Sequence, residues 1–220
     1  IAAYGQQSYS NEGWKTDASG AAGTVFKQTA ASGDNGTLIV DNNNIATRRN
    51  WWDTLLPAGV DLAEFSRVII TNKGILAVNG DNPLDLANAT IIGSGLDNAA
   101  LHILADDLIT YPATWTLGTN YTILGDGISR TLGNVVVPAN SRLSHAVNFT
   151  QELLRLDVDI AGDLTVETGG AIQAYRAGYT GSAGPGSLDG AAGGSHGGRG
   201  STKTLPADPS AYPPTYGSVR

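Results

Sequence analysis

The chain has no cysteine and no methionine, and its 13 Lys and Arg are outnumbered by 20 Asp and Glu. Without cysteine there is neither a disulfide nor a thiolate metal site, so stability has to come from packing and backbone ladders. A formal charge of −7, a pI near 4.7 and no basic cluster beyond Arg48-Arg49 leave out the basic footprint that nucleic acids and anionic membranes require. No apolar run approaches the ~18 residues of a membrane span, and no charge-then-apolar signal pattern stands at the N-terminus. A translated chain opens with methionine and this one opens at Ile1, which predicts a processed product or a piece of something longer.

Glycine is what the sequence has in quantity, 29 residues of 220. They concentrate in Gly178 to Gly200, GYTGSAGPGSLDGAAGGSHGGRG. Ordering glycine costs more backbone entropy than ordering any other residue, so such a run is either a flexible linker or a set of packed turns. Pro185, Leu188, His196 and Arg199 punctuate it at intervals that a plain spacer does not need, which favours turns packed on the element before it.

That element belongs to a series of short β runs. Residues 1 to 22 are small and polar, with isolated Tyr4, Tyr9 and Trp14 and no periodicity. Thr24-Val25-Phe26 and Thr37-Leu38-Ile39-Val40 read as two strands around the turn-forming Ser32 to Gly36, either a strand pair or two successive rungs. The Asn42-Asn43-Asn44 run interrupts the pattern. Arg48 to Phe65 is the least β-like stretch, where Pro57 and Gly59 exclude one long helix. From Val68 onward β runs recur, several with centres about seven residues apart, such as Ile69 to Leu76, Val158 to Thr165 and Thr165 to Ile172.

A sandwich expects strands every 8 to 12 residues joined by hairpin turns, whereas a parallel β-helix makes one rung from three short strands in roughly 20 residues. Corners such as Asn72-Lys73-Gly74, Ala161-Gly162 and Thr168-Gly169-Gly170 suit the coil. The expected fold is therefore all-β, a parallel β-helix or β-solenoid with an irregular N-terminal part and a Gly-rich C-terminal segment. Residues 1–66 read as the irregular part, the end of a preceding repeat or a cap. Residues 67–176 read as solenoid rungs, and 177–220 as the Gly/Pro-rich segment packed on or linking from them. Inward positions are expected at Ile69, Leu76, Val78, Leu86, Ile91, Leu101, Ile103, Leu117, Ile123, Val135, Val137, Leu143, Leu156, Val158, Ile160, Leu164, Val166 and Ile172.

Leu143-Ser144-His145, Gly162-Asp163-Leu164-Thr165-Val166, Gly169-Gly170-Ala171-Ile172, Gly178-Tyr179, Gly184-Pro185-Gly186, Gly193 to Gly200 and Tyr216-Gly217-Ser218 occur in an order that resembles the β-helical repeat regions of very large bacterial secreted or cell-surface, adhesin-like proteins. Tyr175-Arg176 departs from that pattern, where small polar residues would be expected. The resemblance implies an extracellular structural or adhesive role, with self-association or neighbouring repeats of a longer chain as partners. It transfers no catalytic residue and no cofactor. A segment of this kind assigns Gly178, Tyr179, Pro185, His196 and Arg199 to packing or assembly.

Reaction chemistry is not legible. His102, His145 and His196 lack zinc-site spacing, and the simpler reading has His145 and His196 bonding backbone carbonyls in tight turns. Asp106-Asp107, and Asp81 with Asp85, lack an EF-hand order and read as solvated corners. Ser195-His196 has no nucleophile-elbow context. Asp157 and Asp159 share an outward strand face, a geometry that suits glycoside cleavage but equally a soluble surface. Trp51, Trp52 and Trp115 are the candidate glycan contacts, since aromatic faces stack on sugars, and they carry the alternative reading of a carbohydrate-binding or polysaccharide-cleaving β-helix. Asn35, Asn88, Asn120 and Asn148 head glycosylation triplets.

Overall fold

The computed structural model describes residues 23–27, 35–45, 53–93, 99–105, 108–118, 121–125, 127–146, 148 and 153–174. The chain divides into two compact units, residues 1–146 with 155–174, and residues 147–154 with 175–220. The first is a parallel β-solenoid. Strand β1 (Thr24–Lys27) pairs antiparallel with β2 (Thr37–Asp41), and every later pairing is parallel. β2, β3 (Thr54–Leu55) and a 3-10 turn at Leu62–Glu64 begin the coiling. β4 (Arg67–Thr71), β5 (Ile75–Val78) and β6 (Leu84–Asp85) form the next coil, followed by β7 (Ile91–Gly93), β8 (Ala100–Ile103) and β9 (Ile109–Thr110). β10 (Thr114–Thr116), β11 (Tyr121–Leu124) and β12 (Arg130–Leu132) continue it, then β13 (Asn134–Val137), β14 (Arg142–His145) and β15 (Val158–Ile160), and last β16 (Leu164–Val166) and β17 (Ala171–Ile172).

Stacking the coils makes three walls. The middle wall runs unbroken as β3-β5-β8-β11-β14-β17. The first wall is split into β1-β2-β4-β7 and β10-β13-β16, and the third into β6-β9 and β12-β15. Registers show why a coil takes roughly 20 to 30 residues: positions 76, 101, 122, 143 and 172 stack in one row. Ladder growth thus begins at Thr37, where Leu38 stacks on Val68, ahead of the expected boundary at residue 67.

Side chains alternate across a strand, so each inward position stacks on its equivalent in the next coil. Val40, Val68, Ile70, Leu76, Val78 and Ile103 are fully buried in the resulting core. At roughly 25 cal/mol per Å² of apolar surface removed from water, such rows supply the main driving force for coiling. Two expected inward positions are corrected. Val68 and Ile70 point in, and Ile69 joins the outward row Ile39-Ile69-Ile92; three successive β-branched residues gave the alternation no phase. Thr122 and Leu124 point into the main core, while Ile123 lies on the opposite face of its strand in the row His102-Ile123-Ser144, where it is nonetheless buried, in a second apolar cluster with Ile75 and Ala100.

Corners are turned by left-handed residues, which Asn tolerates through local hydrogen bonding. Asn72 and Lys73 have φ of 51° and 62°, and beneath them Asn43 and Asn44 have 50° and 59°. The Asn42-Asn43-Asn44 run is therefore the same corner one coil earlier. The two corners are bonded together: Asn44 N–H donates to the Asn72 carbonyl (3.1 Å), Asn72 Nδ2 to Asp41 Oδ1 (3.0 Å) and Lys73 Nζ to the Asn44 carbonyl (2.8 Å). On another corner Asn134 spans three coils, donating to Thr114 Oγ1 (3.1 Å) and accepting from Asp163 N–H (2.8 Å).

In the second unit the described residues are 148, 153 and 154. Asn148 is buried; its Oδ1 accepts from the Leu153 and Leu154 amides at 2.9 and 2.8 Å, and its Nδ2 donates to the Leu154 carbonyl at 2.6 Å.

Candidate functional site

β15, β16 and β17 each end a wall, so each is paired along one edge only among the described strands. Their register continues the core rows: Leu164 stacks on Val135, Val166 on Val137 and Ile172 on Leu143. Val135, Val137 and Leu143 are 0%, 0% and 2% exposed, whereas Leu164, Val166 and Ile172 are 47%, 45% and 39% exposed. The same sequence pattern that builds a core elsewhere is here left uncovered by the described residues, and three strand edges surround it. Unpaired edges with apolar side chains are templates for further strand pairing. Asp159, Asp163 and Glu167 form an exposed acidic rim around this surface, and Asp157 is tied to Arg155 Nη2 at 3.0 Å and Ser129 Oγ at 3.2 Å. At the other end of the first wall, β1 exposes Lys27 and Phe26, whose ring meets Phe65 edge-on at 6.0 Å.

The aromatic candidates divide. Trp115 is 4% exposed and packs edge-to-face on Tyr111, centroids 5.1 Å apart, so as positioned it cannot present its face to a glycan. Thr114-Trp115-Thr116 alternates polar, apolar, polar, which was the available sign of an inward ring. Trp51 and Trp52 lie outside the described residues, as do Gly178, Tyr179, Pro185, His196 and Arg199, together with Asp106, Asp107 and Asn120. Among the remaining glycosylation candidates Asn35 and Asn88 are exposed, but Asn148 is buried with both ends of its amide engaged.

His145 does bond a backbone carbonyl, Nδ1 to Ala146 O at 2.8 Å. His102 has a different role that sequence reasoning missed. Its Nδ1 lies 2.5 Å from Asp53 Oδ2, with side-chain exposures of 9% and 13%. Asp53 precedes β3 and reaches past β5 to β8, so the pair clasps three neighbouring strands of the middle wall. His102 Nε2 and Asp53 Oδ1 are buried without hydrogen-bond partners among the described residues. The ring presses on Gly125, where an added Cβ would stand 2.5 Å from Nε2. A nitrogen sealed against backbone has no room for a substrate, so the pair works as a clasp rather than a general base. Asp85 accepts from Asn88 Nδ2 (2.6 Å) and from the Ala87 and Asn88 amides. Chiefly through the Asn88 bond, partly opposed by desolvation, its carboxyl is held below the ordinary aspartate value.

No group of three or more His, Cys, Asp or Glu among the described residues is arranged to hold a metal ion. No protein-family model, no curated protein and no solved structure matches this chain.

Proposed function

We propose that this chain is a structural or adhesive unit of an extracellular bacterial surface protein, in which solenoid coils join end to end. The observation that carries this reading is the uncovered terminal coil. Among the described residues no coil lies over Leu164, Val166 and Ile172, which continue the core rows yet stay 39–47% exposed, inside an edge on each wall that has no further described strand. A further coil laid on that surface extends the rows and completes the edges, as strand addition does in β-augmentation. The acidic rim opposes contact between two such ends, while Lys27 on β1 at the opposite end has the complementary sign. Head-to-tail contact is heterologous and does not close, so it grows into a filament. The location outside the cell rests on the resemblance of the 143–218 region to secreted repeat proteins.

Sedimentation velocity and negative-stain electron microscopy across a concentration series test the assembly. The expected result is growth into elongated species that Leu164→Lys with Val166→Lys suppresses while circular dichroism stays unchanged. Dispersed monomers at high concentration would overturn the proposal.

A further inference from the structure

The two ends of the first wall fit each other strand for strand. β1 stands at one end and β16 at the other, each with a single neighbour among the described strands. β1 is the one antiparallel strand among those described. Its Phe26 pairs with Leu38 and its Thr24 with Val40, both of them core positions. Alternation therefore turns Phe26 and Thr24 to the core side, and Val25 and Lys27 outward. Phe26 continues the row Leu38-Val68-Ile91 beyond its last coil and is 54% exposed there, as Leu164 continues the row of Val135 at the opposite end.

A second copy set head to tail brings its β1 against β16, and because β1 runs against its wall the junction is antiparallel. Keeping core side on core side allows only registers that differ by two residues. Phe26 on Leu164 sets Thr24 on Val166, Val25 opposite Thr165 and Lys27 opposite Asp163. Shifted by two in either direction, Lys27 meets Ala161 or Thr165 instead, and the opposite charges part. Opposite charges directly across a strand pair are stabilising, so they select the first register. The open edge of β16 is ready for it. Val135 N–H donates to the Asp163 carbonyl (2.9 Å) and Glu167 N–H to the Val137 carbonyl (3.0 Å). Asp163, Thr165 and Glu167 thus turn their backbone groups to β13, while Leu164 and Val166 turn theirs to the open edge.

Resting on the end-to-end reading above, we infer that two copies join on the first wall through an antiparallel ladder between β16 of one and β1 of the next, with Phe26 on Leu164 and Lys27 facing Asp163. The hydrogen bonds of the ladder supply the contact, and the charge pair fixes its register.

The chain has no cysteine, so a paired substitution reads the register directly. Thr165 turns its backbone away from the open edge and so falls in a non-hydrogen-bonded pair, where opposed Cα atoms come within roughly 4.5 Å, near enough for a disulfide. Oxidation of Val25→Cys with Thr165→Cys should give a ladder of covalent multiples on a non-reducing gel, about tenfold more than Val25→Cys with Glu167→Cys, whose register is shifted by two. Lys27→Glu and Asp163→Lys should each weaken association about three- to tenfold, and the two together should restore it. Circular dichroism and unfolding midpoints equal to wild type confirm that the variants fold. Dispersed wild-type chains at high concentration would sink the end-to-end reading and this joint with it. Elongated wild-type species would leave that reading standing and overturn the joint alone if the 25/165 pair fails to cross-link, if the 25/167 pair links as well, or if the double charge variant is not restored.

Discussion

Gly74→Ala separates two views of what glycine does in these corners. Gly74 follows the left-handed pair Asn72 and Lys73, but its own φ is not in the left-handed region. If it were present only for chain freedom, alanine would stabilise the protein by about 0.4–1 kcal/mol through the unfolded state. The geometry predicts the reverse. An alanine Cβ would stand 2.6 Å from the Val40 carbonyl oxygen of the coil below and 3.0 Å from the Thr71 oxygen. Both are backbone atoms already held in ladders, so neither can swing aside as a side-chain tip would. Relief requires lifting the coil by several tenths of an ångström, which strains the Gly74 N–H to Thr71 bond (2.9 Å) and the Ala100 N–H to Gly74 bond (3.0 Å). Overpacking of this kind costs about 1–3 kcal/mol; less the unfolded-state gain of about 0.4–1 kcal/mol, the net loss lies between about 0 and 2.6 kcal/mol, centred near about 1.3 kcal/mol. Urea unfolding followed by circular dichroism reads it as a lower midpoint. Gly59 is the internal control: its φ is +80° and a Cβ there would meet nothing within 4 Å. Asparagine, which tolerates the left-handed region, should be nearly neutral at Gly59 and as damaging as alanine at Gly74. A raised midpoint for Gly74→Ala would refute the close-approach argument.

Asp53→Ala and His102→Ala should each cost about 1–3 kcal/mol, because each strands the other buried partner; the double variant should cost less than their sum in a double-mutant cycle, and additivity would show that the clasp carries no coupling. For Asp85 the folded-state value is depressed, so its contribution is fully present above the unfolded value and is lost as pH falls through the folded one. A carboxyl NMR titration should place its midpoint below the ordinary aspartate value and move it upward in Asn88→Ala, and an unmoved midpoint would remove Asn88 as the main cause.

Much of the architecture was legible because corner chemistry is local. Asn72-Lys73-Gly74 and Thr168-Gly169-Gly170 announce turns through their own backbone preferences, and seven-residue spacing between neighbours is enough to suggest a coil. Phase was harder. Val68-Ile69-Ile70 offers no polar residue to mark the outside, and Thr122 is a polar residue on the inside, so alternation misleads at both. The early start of the ladder was hidden by length: 38 and 68 stack across a 30-residue excursion, which reads as irregular when taken alone. The Asp53–His102 clasp joins positions 49 apart, a distance over which no short motif operates. The interruption of two walls was invisible for a similar reason, since the pairings missing between β7 and β10 among the described strands are a property of neighbouring coils rather than of either strand.

Those missing pairings also decide how the solenoid would bear load. Inter-coil hydrogen bonds lie along the coil axis, so a pull in that direction is shared by the walls in parallel wherever all three are paired. Between the coil of β7 to β9 and the coil of β10 to β12 the four residue pairs of β8 and β11, Ala100 to Ile103 against Tyr121 to Leu124, are the one ladder among the described strands, so there the tension concentrates in the middle wall. In a filament of the proposed kind that short ladder would be the fuse, yielding before the better-shared joints above and below it and letting the chain lengthen at a defined place instead of tearing at random.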